Sequence, residues 1–104
     1  MSEFVEATSI EKLPPGQGMT VTVNGKDIAL FNVDGNVHAI DDGCVHAGAS
    51  LGSSKFQGKI VTCRAHGWKF DVTTGNVSHV PDYGVGCYQV KIEDGKVLVA
   101  VPHL

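Results

Sequence analysis

Four side chains with metal-binding chemistry fall in two short clusters. Cys44 and His46 are separated by one residue, Cys63 and His66 by two, and sixteen residues lie between the clusters. Thiolates and imidazoles are ligands of zinc and of iron-sulfur centres alike. The spacing separates the two. Zinc loops usually leave two to four residues between paired ligands, so Cys44 and His46 are poorly placed to share one tetrahedral ion. Two irons joined by two sulfides offer separate sites, and each loop can then give its Cys to one iron and its His to the other. In that arrangement Cys44 and Cys63 take the inner iron, and His46 and His66 the outer one. Gly43, Gly48 and Gly67 flank the ligands, which suits loops that bend around a cofactor.

Such loops need a frame, and the rest of the chain reads as one. Met19 to Val23 alternates, Asn24-Gly25 is a strong hairpin signal, and Lys26 to Val33 returns with Ile28, Leu30 and Asn32 at alternate positions. A turn at Asp34-Gly35-Asn36 leads into Val37 to Ile40, completing a meander that delivers the chain to Asp41-Asp42-Gly43-Cys44. Lys59 to Thr62 is a short strand ending at Cys63. Trp68, Phe70 and Val72 alternate, a turn follows at Thr73 to Asn76, and Val77 to Gly86 is a loop carrying Pro81. Tyr88 to Ile92, the Glu93-Asp94-Gly95 turn and Lys96 to Val101 form a closing hairpin.

Two segments are expected to be connections. Phe4 to Ala7, with a hydroxyl-capped helical turn over Thr8 to Leu13, is punctuation that Pro14-Pro15-Gly16 stops. Ser50 to Gly58 is a polar linker between the ligand clusters. No long stretch has helical periodicity, and there is no repeat. The class is all-β, an antiparallel sandwich or barrel.

At 104 residues the chain has room for one domain and one core, and none for a separate catalytic or flavin-binding unit. Its 42% hydrophobic and 18% charged content is that of a soluble globular protein. A net charge of −3 without a basic run argues against nucleic acid or an anionic membrane as partner. The N-terminus lacks the features of a signal peptide and no segment reaches membrane-spanning length, so the expected location is cytoplasmic. Three cysteines, an odd number, point to metal binding rather than disulfides and leave Cys87 as an expected buried, inert thiol.

At the ligand loops the sequence resembles the Rieske iron-sulfur family. Cys44-Val45-His46-Ala47-Gly48-Ala49-Ser50-Leu51 is similar to the family's first loop, and Cys63-Arg64-Ala65-His66-Gly67-Trp68-Lys69-Phe70-Asp71 with Thr74-Gly75 to its second. The resemblance spans nearly the whole chain. It implies an antiparallel β-sandwich over residues 1–104, with a cluster-binding subdomain at about residues 42–72. It also implies one 2Fe-2S cluster on Cys44, His46, Cys63 and His66, and a loop at Pro81 that covers it.

Departures from the respiratory branch of that family narrow the function. Rieske subunits of cytochrome bc complexes carry an extra cysteine in each loop, joined as a disulfide, where this chain has Ala49 and Ala65. Those subunits also donate hydroxyl hydrogen bonds to the cluster from two positions that here hold Trp68 and Phe70. Hydrogen bonds to the sulfurs stabilise the reduced state, so their loss lowers the potential. Two ferric irons, two sulfides, two thiolates and two neutral imidazoles sum to zero charge. The site should therefore lie above four-cysteine plant-type ferredoxins yet low among Rieske centres, on the order of −150 mV.

A lone domain of this kind resembles the ferredoxin component of a bacterial multicomponent aromatic-ring oxygenase. It implies an electron carrier, not an enzyme, running from a flavoprotein reductase to a terminal oxygenase in aromatic hydrocarbon breakdown. Two other classes stand beside it: a redox subunit of a permanent complex, such as a relative of the small nitrite reductase subunit, and a zinc-stabilised binding module. Other residues have plainer readings. His38 is a strand residue, His79 and His103 are solvated, and Trp68 and Phe70 are core beneath the second loop. Asp41 and Asp42 form an acidic turn or steer a basic partner, with Lys55, Arg64 and Lys69 adding mixed charge nearby.

Overall fold

The computed structural model describes residues 4–43, 50–52, 54, 56–63, 67–77 and 84–100. Among the described residues nine strands are formed: β1 (Phe4–Ser9), β2 (Gly18–Val23), β3 (Lys26–Val33), β4 (Asn36–Asp41), β5 (Phe56–Gln57), β6 (Ile60–Thr62), β7 (Lys69–Asp71), β8 (Cys87–Glu93) and β9 (Lys96–Ala100). A six-stranded sheet runs in the order β1-β9-β8-β4-β3-β2, and β5-β6-β7 form a second, three-stranded sheet. The pairings between these strands are antiparallel.

The turn chemistry sets the register. Asn24 and Gly25, Asp34 and Gly35, and Asp94 and Gly95 all have positive φ, the conformation of a two-residue turn whose twist matches that of its strands. These turns fix Val23 opposite Lys26, Val33 opposite Asn36 and Glu93 opposite Lys96. The meander and the closing hairpin therefore stand where the sequence puts them. They join along a short seam, Ala39 with Tyr88 and Ile40 with Cys87.

Two hydrophobic cores lie on opposite faces of β3. Ile28 and Leu30 point into one with Leu13, Val23, Val37, Ala39, Val97 and Val99. Ala29 and Phe31 point into the other with Ile40, Leu51, Val61, Cys63, Phe70, Val72 and Val77. A strand covered on both faces reads as a continuous apolar run rather than an alternation, and Ile28-Ala29-Leu30-Phe31 is such a run. The alternation of Ile28, Leu30 and Asn32 captures only one of its faces. Asn32 is 2% exposed, and its amide joins the first core's edge by donating to the Leu13 carbonyl at 2.7 Å while accepting from the Gly35 N–H at 2.8 Å.

The N-terminal segment is more than punctuation. Phe4 to Ser9 is an edge strand on β9, with a register shift between Glu6 and Thr8. The helical turn is reduced to a 3-10 turn over Ile10–Lys12, and Ser9 makes no side-chain cap. Cross-strand burial of Val5 and Ala7 against the first core outweighs the weak local helix signal. Likewise Ser50 to Gly58 includes β5, anchored by a T-shaped contact between Phe56 and Phe31 with centroids 5.0 Å apart.

Candidate metal centre

The second ligand loop grows from the β6–β7 hairpin. Thr62 pairs with Lys69, and one step further the Cys63 N–H donates to the Trp68 carbonyl at 2.7 Å. The Gly67 N–H closes back onto the Cys63 carbonyl at 2.9 Å, with Gly67 at φ 71°, a backbone geometry that strains other residues. Cys63 is 1% exposed and belongs to the second core with Val61, Phe70 and Leu51. Phe70 is buried and Trp68 packs half-buried against the same cluster, so both are core under this loop.

The first loop is closed at its feet. Gly43 and Ser50 form a bridge, and the Leu51 N–H donates to the Asp42 carbonyl at 2.7 Å. The Asp42 carboxylate gathers three donors on Oδ1: the Thr20 hydroxyl at 2.8 Å, the Ser50 hydroxyl at 3.0 Å and the Gly52 N–H at 2.8 Å. A Cβ on Gly52 would lie 2.3 Å from the Thr20 Oγ1 and 2.9 Å from Asp42 Oδ1, so only glycine fits there. Leu51, the residue after the bridge, is buried in the core that holds Cys63. The feet of both loops thus meet over one apolar cluster.

A third stretch approaches the same region. Val77 bridges Phe70, and Gly84 bridges Asn76, so residues 77 and 84 are anchored beside β7. The chain then returns past Asp41, whose Oδ2 accepts from the Gly86 N–H at 2.9 Å. Asp41 Oδ1 accepts from Tyr88 Oη in a short hydrogen bond and from Lys26 Nζ at 3.2 Å, while Lys26 also donates to Tyr88 Oη at 2.7 Å. Burial works against the Asp41 charge, but donation from Tyr88, Gly86 and Lys26 outweighs it and holds the carboxyl below its ordinary pKa. The hydrogen bond to Tyr88 is the main force raising the pKa of Lys26.

Of the expected ligands, Cys63 is placed as described. Cys44, His46 and His66 lie outside the described residues, as do Ala49, Lys55, Arg64, Ala65, His79, Pro81 and His103. His38 is a half-buried residue of β4, as expected. Cys87 corrects its expectation, for it is exposed rather than buried. It falls on the seam where β8 meets β4, and its sulfur donates weakly to the Thr73 carbonyl at 3.5 Å. Desolvation against that turn pushes its thiol pKa up despite the exposed position, which disfavours the reactive thiolate.

Asp41 and Asp42 are structural posts rather than an open acidic turn. Sequence reasoning missed this role, although their place at a strand end just before the first ligand loop was visible. The hydroxyl partners were not, because Thr20 and Ser50 lie 22 and 8 residues from Asp42.

The residues fit a two-iron centre of the mixed kind. Cys63 offers a thiol inside an apolar cluster, the feet of both loops are pinned by backbone hydrogen bonds, and the two sequence clusters would together supply two sulfur and two nitrogen donors. Fold and site define a class: a small antiparallel β protein in which one candidate ligand loop follows β4 of the large sheet and the other grows from the subsidiary sheet. A family model described as "Rieske [2Fe-2S] domain" matches residues 3–97, and the chain belongs to that family, which carries a 2Fe-2S cluster.

Relatives of similar length extend the match. The chain is 38% identical over 98 residues to a biphenyl dioxygenase ferredoxin subunit of Pseudomonas sp. (strain KKS102), covering 92% of this chain and 90% of that protein. It is 33% identical over 98 residues to the ferredoxin component of a naphthalene 1,2-dioxygenase system of Pseudomonas aeruginosa, covering 93% and 94%. Among solved structures it superimposes with a TM-score of 0.85 and 27% identity on a chain from a "complex of reduced oxygenase and oxidized ferredoxin in carbazole 1,9a-dioxygenase", covering 96% of this chain and 94% of that one. No helix among the described residues is long and apolar enough to cross a membrane.

Proposed function

We propose that this chain is the electron-carrying ferredoxin of an aromatic-ring oxygenase system, taking one electron at a time from a flavoprotein reductase to a terminal oxygenase. It catalyses no reaction itself. The observation that carries this reading is the match over nine-tenths of both chains to proteins named as ferredoxin components of dioxygenase systems. The printed title of the carbazole dioxygenase complex supports an oxygenase as partner. Residues 1–104 act as a single domain in the cytoplasm, with the cluster-binding part at about residues 42–72, and need neither nucleic acid nor membrane.

One cluster is held by Cys44, His46, Cys63 and His66. When bound, it supplies a single electron that can be added and removed without making or breaking a bond to carbon. Cys63 provides a thiolate from the dry core, and the hydrogen bonds of Cys63, Gly67 and Trp68 hold that loop's turn. Asp42, Ser50 and Gly52 keep the feet of the other loop together. Trp68 and Phe70 bring apolar rings and no hydroxyl to the positions after Gly67, which keeps the potential low, on the order of −150 mV.

The test is a redox titration of purified protein followed by electron paramagnetic resonance. A rhombic Rieske signal with a potential near the bottom of the Rieske range is expected. His46→Cys and His66→Cys variants that assemble should lose that signal and titrate at lower potential. An unchanged signal removes those histidines from the site, and a colourless protein holding one zinc defeats the whole reading.

A further inference from the structure

Asp41 and Asp42 are adjacent carboxylates in opposite surroundings. The charge of Asp41 is compensated by Lys26 at 3.2 Å. Asp42 is 7% exposed, and among the described residues the partners of its carboxylate, the Thr20 and Ser50 hydroxyls and the Gly52 N–H, are all neutral. Among the described residues no cation pairs with it. Neutral donors on one oxygen disperse a negative charge there but do not cancel it. Such a group is costly to bury, which raises the question of what it does there.

Its position answers that. Two peptide units separate Asp42 from Cys44, so their Cα atoms lie no more than about 7.6 Å apart. A fixed negative charge in a poorly polarisable interior raises the energy of placing an electron nearby, far more than the same charge would in water. We propose that Asp42 is a potential-setting residue: its buried carboxylate, which no cation pairs among the described residues and which Thr20, Ser50 and Gly52 hold at the foot of the first ligand loop, lowers the reduction potential of the centre. The inference rests on the reading of Cys44 as a ligand. It assigns part of the low potential to a charge on the protein, beyond the missing hydroxyls at Trp68 and Phe70.

The test compares the midpoint potentials of holoprotein variants by mediated titration with resonance detection. Asp42→Asn keeps an acceptor oxygen and removes the charge, so the midpoint should shift upward while the resonance line shape stays that of the wild type. Thr20→Val keeps the charge and removes one donor that disperses it, so the midpoint should shift downward. A merely structural role predicts an altered line shape and lower melting temperature in both variants without opposite shifts, and that outcome overturns the proposal. An unmoved or lowered midpoint in Asp42→Asn also overturns it. If Asp42→Asn does not take up the cluster, Thr20→Val decides, and an unmoved or raised midpoint there is fatal. Absence of a Rieske signal in the wild type would instead defeat the parent reading.

Discussion

The N–H of Val85 donates to the Gly75 carbonyl across 2.8 Å, and a Cβ on Gly75 would stand 2.4 Å from the Val85 carbonyl oxygen. Two backbone segments cross here without room for a methyl group, and Gly75 has φ +84°. Gly75→Ala should therefore destabilise the fold by about 2–4 kcal/mol, combining backbone overpacking with left-handed strain. Gly16→Ala makes the control, since Gly16 has φ +85° but nothing within 4 Å of the added carbon. It should cost only the strain, about 1 kcal/mol. Urea midpoints of the two variants measure the difference.

Asp41 gives the stability a defined acid dependence. Its folded pKa lies below the ordinary carboxyl value of 3.8, because donation from Tyr88, Gly86 and Lys26 outweighs burial. A lowered carboxyl pKa contributes stability that is complete above the unfolded value and is lost as pH falls from there through the folded one. Tyr88→Phe removes the hydroxyl donor and should cost about 1 kcal/mol at neutral pH. The gap between variant and wild type should then narrow below pH 3.8, as Asp41 takes up its proton. Thermal midpoints across that range check the sign, and a gap that widens in acid contradicts it.

Asn32 is a buried polar tie between the segment at Leu13 and the turn at Gly35. Asn32→Ala should lose about 2 kcal/mol, because the Leu13 carbonyl loses its donor in a buried setting. Asn32→Leu, close in volume, should not restore the loss. Recovery by leucine in chemical denaturation would show that packing, not hydrogen bonding, is what the asparagine supplies.

Removal of the cluster should loosen the molecule unevenly. Val61, Cys63 and Phe70 pack in the core at the feet of the ligand loops, whereas the core of Ile28, Leu30, Val97 and Val99 includes none of the described residues at those feet. Hydrogen exchange on chelator-stripped protein should show faster exchange at the amides of β6 and β7, with those of β3 and β9 near their original protection. Uniform loss across both sheets would refute this division.

Local chemistry explains what was legible from residue order. Asn24-Gly25, Asp34-Gly35 and Asp94-Gly95 are turns that only a few residue types form, so the meander and closing hairpin followed directly. The ligand spacing identified the family for the same reason, since few centres accept one intervening residue in one loop and two in the other. Long-range pairing was not legible. Phe4 to Ser9 carries no signal that its partner is Lys96 to Ala100, and Asp42 carries none for Thr20. Cys87 was misjudged because it opens an alternating strand on the outward-facing phase at a seam, and alternation alone does not say which phase is buried.

The double burial of β3 has a consequence for how the two sheets feel each other's changes. Ala29 and Phe31 share one cluster with Leu51, Val61 and Phe70. Ile28 and Leu30, on the other face of the same strand, share theirs with Val97 and Val99. One strand therefore ties both cores together: a change of volume at Phe31 is transmitted toward the small sheet, and one at Leu30 toward the closing hairpin.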